Sequence, residues 1–171
     1  MRTLLRWLDA LSRTAEIAAA ASILALVCVV FLNAMLRYFF NLSAMAVQEL
    51  QFYFYALGFL LAMAPILKTD GHVRIDIFYA RFPQRWKRWV DGFGTLFFLL
   101  PFALLVLWAS YDFVAYSFSI REASPNPGGL PALYLFKALI PLSFALLVVV
   151  ALGFLWNCLH EGHLFFPREK R

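Results

Sequence analysis

The sequence predicts an all-α membrane protein with four transmembrane helices, both termini in the cytoplasm, and a short interfacial amphipathic helix between the second and third spans. Three observations support this fold class. Of the 171 residues, 63% are hydrophobic and 15% are charged, whereas soluble domains have about 45–50% apolar and about 25% charged residues. Four long stretches carry no formal charge. Basic residues are dense in alternate connections and sparse in the others.

The four uncharged stretches have the length of membrane-spanning helices. A bilayer core of about 30 Å requires about 20 helical residues, each rising about 1.5 Å. We predict a single membrane domain, 1–171, with spans over about 15–37, 46–67, 92–116 and 133–157. The stretches do not alternate between apolar and polar residues, which argues against strands of a membrane barrel.

The first apolar stretch is expected to remain in the mature protein as a helix. It follows a charged segment, Met1–Arg13, as the apolar part of a signal peptide would. Its uncharged run is about 20 residues long, where a signal peptide has about 7–15, and no clear cleavage site of small residues follows. We therefore predict a transmembrane helix here and not a cleaved leader.

The positions of Lys and Arg predict the orientation, because cationic connections remain on the cytoplasmic side of a membrane. Three basic residues lie in the N-terminal segment, six follow the second span, and three lie at the C-terminus. The first and third connections have only Arg37 and Arg121. Both termini and the middle connection are therefore predicted to be cytoplasmic. The net charge of +5 is then a topology signal, and nucleic acid is not an expected partner.

The middle connection is predicted to form a helix on the membrane surface, over about 74–82. Apolar residues recur there at the spacing of one helix face: Ile75, Phe78, Tyr79 and Phe82. Charged residues occupy the other faces, which is typical of a helix lying in the interface. Trp86 and Trp89, placed among basic residues, extend this headgroup-level belt.

Ionisable side chains near or inside the spans are costly there, which makes them candidates for function. Arg37 ends the first span, and Glu49 follows Gln48 at the start of the second. An Arg37–Glu49 ion pair and separate contact of each side chain with water are both compatible with this placement. Asp112 and Lys137 lie at similar predicted depth in the third and fourth spans. Their matched depth predicts an ion pair, with snorkelling of each side chain to water as the alternative.

The sequence lacks the patterns of catalytic and metal-binding sites. Its three histidines, His72, His160 and His163, all fall at the predicted cytoplasmic edge. The sequence has no nucleophile paired with a base, no glycine-rich phosphate loop and no paired carboxylates. We therefore expect no enzyme, no catalytic residue, and no cofactor or metal site in this chain.

Short polar and turn motifs follow one another from about Arg37 to Pro141. They are Gln48-Glu49-Leu50 at the start of the second span, Gly71-His72-Val73-Arg74-Ile75-Asp76 after it, and Glu122-Ala123-Ser124-Pro125 with Gly129-Leu130-Pro131 in the third connection. In their order and spacing, these motifs resemble the DctQ-like small membrane subunit of tripartite ATP-independent periplasmic (TRAP) transporters. The candidate partner-interface or structural residues are Arg37, Gln48, Glu49, His72, Arg74, Asp76, Asp112, Ser124, Pro125 and Lys137.

The resemblance implies a scaffold role without transport by this chain alone. In that family, a small four-helix subunit supports a large multi-span subunit that carries substrate by an elevator motion. A sodium gradient drives uptake, and a periplasmic binding protein delivers an organic acid. The resemblance thus implies a bacterial inner-membrane location in contact with lipid, with sodium bound by the large subunit and no cofactor bound by this chain. The identity of the acid does not follow.

Two other classes of membrane protein remain as alternatives at this stage. A small multidrug-type exporter also has four helices, but it requires a carboxylate deep in the first span, and Glu16 lies near the edge. The membrane-anchor subunit of a respiratory complex would hold haem with histidine pairs inside the membrane. The three histidines are not placed for that role.

The charge distribution predicts opposite labelling of two introduced cysteines. A cysteine at Asn126 should react with a membrane-impermeant maleimide added to intact cells, and one at Gln84 should be protected. Labelling at Gln84 together with protection at Asn126 would reverse the predicted orientation.

Overall fold

A computed structural model of the protein describes residues 2–68 and 83–159. The described chain is helical and has no strand within those ranges. In order, its elements are α1 (Arg2–Phe40), α2 (Met45–Lys68), α3 (Gln84–Gly94), a π-helical turn (Thr95–Leu99), α4 (Leu100–Ser119), α5 (Leu133–Lys137) and α6 (Leu139–Leu159). The interfacial helix predicted at 74–82 lies outside the described residues, as do His72, Arg74 and Asp76.

Four helical segments are long and apolar enough to cross a membrane, which confirms the predicted all-helical class and the number of spans. They are Ala10–Phe40, Met45–Leu67, Trp89–Ser119 and Leu133–Trp156. The third combines the end of α3, the π-helical turn and α4, and the fourth combines α5 and α6. The orientation of these spans across the membrane stays a prediction.

Two prolines account for the irregular turns in the third and fourth spans. Proline cannot donate a backbone hydrogen bond, and its ring clashes with the carbonyl four residues earlier. Immediately before Pro101, the N–H of Leu100 bonds to the carbonyl of Thr95, five residues back, and this wider turn accommodates the ring. Pro141 cannot bond to the carbonyl of Lys137, and the helix is interrupted between α5 and α6 at that point.

The four spans pack in the spatial order first, second, fourth, third. α1 packs mainly on α2, α2 also packs on α6, and α6 packs on α4. The helices therefore form an open row with α2 and α6 inside it. Only 17–28% of the residues in the most apolar part of each span are buried, so lipid or another protein must cover the rest.

An apolar cluster lies between the spans, toward the end of the helices at which α2 finishes. It combines the C-terminal half of α2, the N-terminal half of α4 and the middle of α6: Ala64, Leu67, Leu100, Ala103, Phe144, Leu147, Val150 and Ala151. Three of these residues are alanines with at most 1% of their surface exposed. Since lipid tails are as apolar as the helices, close packing between small residues holds such an interface together.

The contact between α1 and α2 also depends on small residues. Buried residues on α1 recur every three or four positions: Ser12, Ala15, Ala19 and Ser22. On α2, a Cβ atom added at Gly58 would lie 2.7 Å from Cδ1 of Ile23. Only glycine allows α1 and α2 to approach this closely without moving that side chain.

Candidate functional site

The connection between α4 and α5, residues 120–132, is held by two carboxylates. Its backbone turns sharply, with positive φ at Arg121 (47°), Gly128 (75°) and Ala132 (63°). Glu49 reaches it from α2, and Glu122 lies within it. These two groups and their donors form the most extensive polar cluster of the described residues. It lies near the start of α2, whereas the apolar cluster lies near the end of α2.

Glu49 accepts hydrogen bonds from three parts of the connection. Its Oε1 accepts from the hydroxyl of Ser124 and, at 3.0 Å, from Nδ2 of Asn126. Its Oε2 accepts from the backbone N–H of Leu130 at 2.7 Å. The carboxylate lies about one turn into α2, so these bonds attach the connection to the start of the second span. Charge-assisted bonds of this kind are stronger than neutral ones.

The segment bound by Glu49 is a closed turn with its own hydrogen bonds. The N–H of Ser124 donates to the carbonyl of Leu130 at 3.1 Å, and the N–H of Asn126 donates to the hydroxyl of Ser124 at 3.1 Å. Inside the turn, a Cβ atom added at Gly129 would lie 2.5 Å from the Cβ of Ser124 and 2.8 Å from Oε1 of Glu49. Glycine is therefore required there, because a side chain would displace the carboxylate.

Glu122 joins the ends of the third and fourth spans. Its Oε2 accepts from Nζ of Lys137 at 2.5 Å and from the hydroxyl of Ser117 at 2.6 Å. The side chains of Lys137 and Glu122 are only 18% and 27% exposed. Hydrogen bonds from Lys137 and then Ser117 hold the pKa of Glu122 below its usual value, and the positive charge of Lys137 adds to this, while partial burial opposes it.

Aromatic contacts place the short helix α5 between its neighbours. The Nζ of Lys137 lies 4.3 Å from the ring centroid of Phe113 on α4, a cation–π geometry. On the other side, Phe136 stacks on Tyr53 of α2, with ring centroids 4.2 Å apart and an angle of 11° between the planes. Adjacent residues of α5 therefore contact α4 and α2.

The predicted ion pair between Asp112 and Lys137 is wrong. Lys137 pairs with Glu122, and Asp112 is an exposed residue of α4. Matched depth specifies a position along a helix but not the direction in which its side chain points. The connection folds back after α4 and brings a nearer carboxylate to the ammonium group.

The Arg37–Glu49 ion pair does not form among the described residues, because Glu49 instead accepts hydrogen bonds from the third connection. Arg37 lies exposed in the last turn of α1. The neighbouring candidate Gln48 donates from Nε2 to the hydroxyl of Ser43 at 3.1 Å, within the first connection.

Two candidate residues of the third connection lie at this site. Ser124 donates to Glu49, and Pro125 is exposed beside it in the turn. The candidate residues omit Glu122, Ser117 and Asn126. Glu122 and Asn126 belong to the polar, Gly- and Pro-rich sequence of the connection, which was the available signal, whereas Ser117 resembles any small residue of an apolar helix.

The chemistry of the site is that of a structural anchor. Both carboxylates are occupied by donors from the chain itself. Within residues 2–68 and 83–159, no three His, Cys, Asp or Glu residues are grouped as metal ligands would be. The arrangement joins the second span to the hairpin formed by the third and fourth.

Weakening the Glu49 contacts should loosen the third connection. Glu49→Gln removes the charge and places an amide N–H₂ group beside the three donors, and Gly129→Ala forces the carboxylate away. Both variants should lower the melting temperature in detergent, by at least about 2 °C, and speed amide hydrogen exchange at residues 124–130.

The matched controls are Asp112→Asn, which changes an exposed carboxylate, and Gly94→Ala, where an added Cβ meets nothing within 4 Å. Unchanged exchange at residues 124–130 in both Glu49→Gln and Gly129→Ala would contradict the anchoring role.

The Glu122–Lys137 pair should show non-additive effects on stability. Glu122→Gln or Lys137→Met each leaves one poorly solvated group without its charged partner, so each should lower the melting temperature by at least about 2 °C. The double variant should lose less than the sum of the two single losses. Additive losses, or a loss from Asp112→Asn as large as that from Glu122→Gln, would contradict the pair.

The pair should also contribute to acid sensitivity. Because the pKa of Glu122 is lowered by folding, its stabilisation is fully present above the ordinary value of 4.5 and is lost as pH falls through the lower folded-state value. Melting temperatures measured from about pH 7 to about pH 3 should therefore fall less steeply for Glu122→Gln than for the original chain.

Comparison with known families identifies the family to which the chain belongs. Residues 26–161 match the family model of the DctQ component of tripartite ATP-independent periplasmic transporters. No curated protein matches the chain. The matched region includes Glu49, the third connection, the C-terminal part of the first span and all of the other three spans. Members of the family are transporter components and not enzymes. The chain therefore belongs to the DctQ family, the small membrane subunits of TRAP transporters.

Proposed function

We propose that this chain is the scaffold subunit of a sodium-driven tripartite importer of organic acids. It supports a large elevator-type membrane subunit and works with a periplasmic substrate-binding protein. The observation that carries this proposal is the placement of the charged groups: those in the described spans lie toward the ends, and two of them are used to join parts of the chain.

A transporter working alone needs a polar site within the membrane. Secondary transporters usually place that site near the midplane, among interrupted helices and buried polar groups. Here the inner parts of the described spans are mainly Leu, Phe, Ala and Val. Pro101 and Pro141 interrupt two spans, but an irregular turn without several polar partners does not bind an ion. The hydroxyl of the buried Ser110 donates to the carbonyl of Val106 and so is already occupied.

The open row of helices favours a supporting role. Four helices in a row expose two broad faces and do not surround a central path. The large exposed apolar area leaves room for both lipid and a membrane partner. Sodium and the acid are therefore assigned to the large subunit, and no cofactor is assigned to this chain. We place both termini and the middle connection in the cytoplasm, in the bacterial inner membrane.

Reconstitution tests the scaffold role. Liposomes containing this chain alone should show no uptake of a radiolabelled candidate acid under a sodium gradient, whereas the large subunit, this chain and the binding protein together should show uptake. Omitting this chain should reduce uptake at least about tenfold. Uptake by this chain alone, or full uptake without it, would contradict the proposal.

A matched pair of variants tests whether uptake depends on the hydrogen bonds of Glu49. Glu49→Gln in the complete system should reduce uptake together with the amount of large subunit that copurifies, while Asp112→Asn should leave both unchanged. A potassium gradient in place of sodium serves as the control for the driving ion.

A further inference from the structure

The third connection has two separate attachments to the helices. At its base, the N–H of Glu122 donates to the carbonyl of Ser117 at 3.0 Å, and the carboxylate of Glu122 accepts from the hydroxyl of the same serine. The N–H of Leu133 closes the base by donating to the carbonyl of Glu122 at 2.9 Å. At the second attachment, the N–H of Leu130 donates to Glu49 of α2. Two tie points on different helices are therefore only three residues apart in sequence.

Ala132 absorbs the change of direction between these tie points. Only Pro131 and Ala132 lie between Leu130 and Leu133, and the ring of Pro131 fixes its own φ and restricts the residue before it to extended conformations. Ala132 has a φ of 63° and a ψ of 45°, in the left-handed region that residues with a Cβ atom disfavour. It also precedes α5 without the side-chain hydrogen bond that Ser, Thr, Asp or Asn would provide there. The two tie points therefore impose a conformation that alanine itself does not favour.

The tip of the connection is a closed unit that one side chain holds to α2. Inside the tip, the N–H of Ser124 donates to the carbonyl of Leu130, and the N–H of Gly129 donates to the carbonyl of Asn126 at 3.0 Å. Residues 125–128 are exposed. Within the part of the chain that the structure describes, every hydrogen bond from the tip to another helix goes to Glu49. Loss of those bonds would free the tip without breaking its internal bonds or its base.

We propose that residues 122–133 act as a strained clasp between the second span and the hairpin of the third and fourth spans. The clasp opens at Glu49 first, with Ala132 as its hinge, while its base stays closed. When the tip leaves Glu49, Ala132 returns to a favoured backbone conformation, and the strain relieved there offsets part of the lost hydrogen bonding. Opening releases the start of α2 from the tip, and the Glu122–Lys137 pair continues to join the third and fourth spans.

Two amide groups distinguish opening of the clasp from loosening of the whole connection. Hydrogen exchange at the N–H of Leu130 reports on the tip, and exchange at the N–H of Leu133 reports on the base; both are measured by NMR on the full chain in detergent. Glu49→Gln should speed exchange at Leu130 by at least about tenfold, because the tip loses its charged acceptor, and should speed exchange at Leu133 by less than about twofold. Equal acceleration at the two amides, or none at Leu130, would overturn the proposal.

A matched pair of glycine variants tests the hinge. Ala132→Gly removes the Cβ atom at the left-handed position, and Ala123→Gly makes the same change in the same connection at a residue without a positive φ. Because glycine relieves the strain of the closed clasp, Ala132→Gly should slow exchange at Leu130 by about threefold to tenfold, and Ala123→Gly should not slow it. Neither substitution is adjacent to Leu130, so the intrinsic exchange rate of that amide is the same in both variants. Exchange at Leu130 that Ala132→Gly fails to slow, or that Ala123→Gly slows equally, would overturn the proposal.

Discussion

The arrangement of the helices at the end where α2 begins depends on the hydrogen bonds that the carboxylate of Glu49 accepts. α2 and α4 are not neighbours in the row, because α6 lies between them. The connection that follows α4 is nevertheless bound to α2 through Ser124, Asn126 and Leu130. A buried backbone N–H without an acceptor is costly, and more so near lipid than near water. Glu49 accepts from one partly buried N–H, that of Leu130, and places the third connection against the second span.

The two ends of the helices, along their long axes, are stabilised by different forces. Close packing of small and branched residues acts at the apolar cluster, where α2, α4 and α6 meet. Hydrogen bonds and one ion pair act at the opposite end, where Glu122 binds Lys137 and Ser117. Packing in lipid gains little from the hydrophobic effect, so tight contacts and satisfied polar groups must hold the helices together. Placing the polar groups at the end keeps charge out of the low-dielectric interior.

The number and approximate position of the spans were predictable, since uncharged length is a property of the sequence alone. The partners of the charged groups were not. Asp112 and Lys137 were matched by depth, yet the direction of a side chain around its helix depends on packing, and Lys137 binds Glu122 instead. The fold-back that brings Glu122 there includes a left-handed conformation at Arg121, which nothing in that residue type predicts. Glu49 was recognised as a candidate, but its donors lie 75–81 residues away in sequence.

A supporting subunit beside a moving partner must resist force without closing into a compact bundle, because a compact bundle would leave little surface for the partner. An open row leaves that surface available, at the cost of few contacts between its helices. Attachment at the two ends compensates for this cost. The apolar cluster joins three spans at one end, and the carboxylates join the same spans at the other. The first span packs mainly on α2.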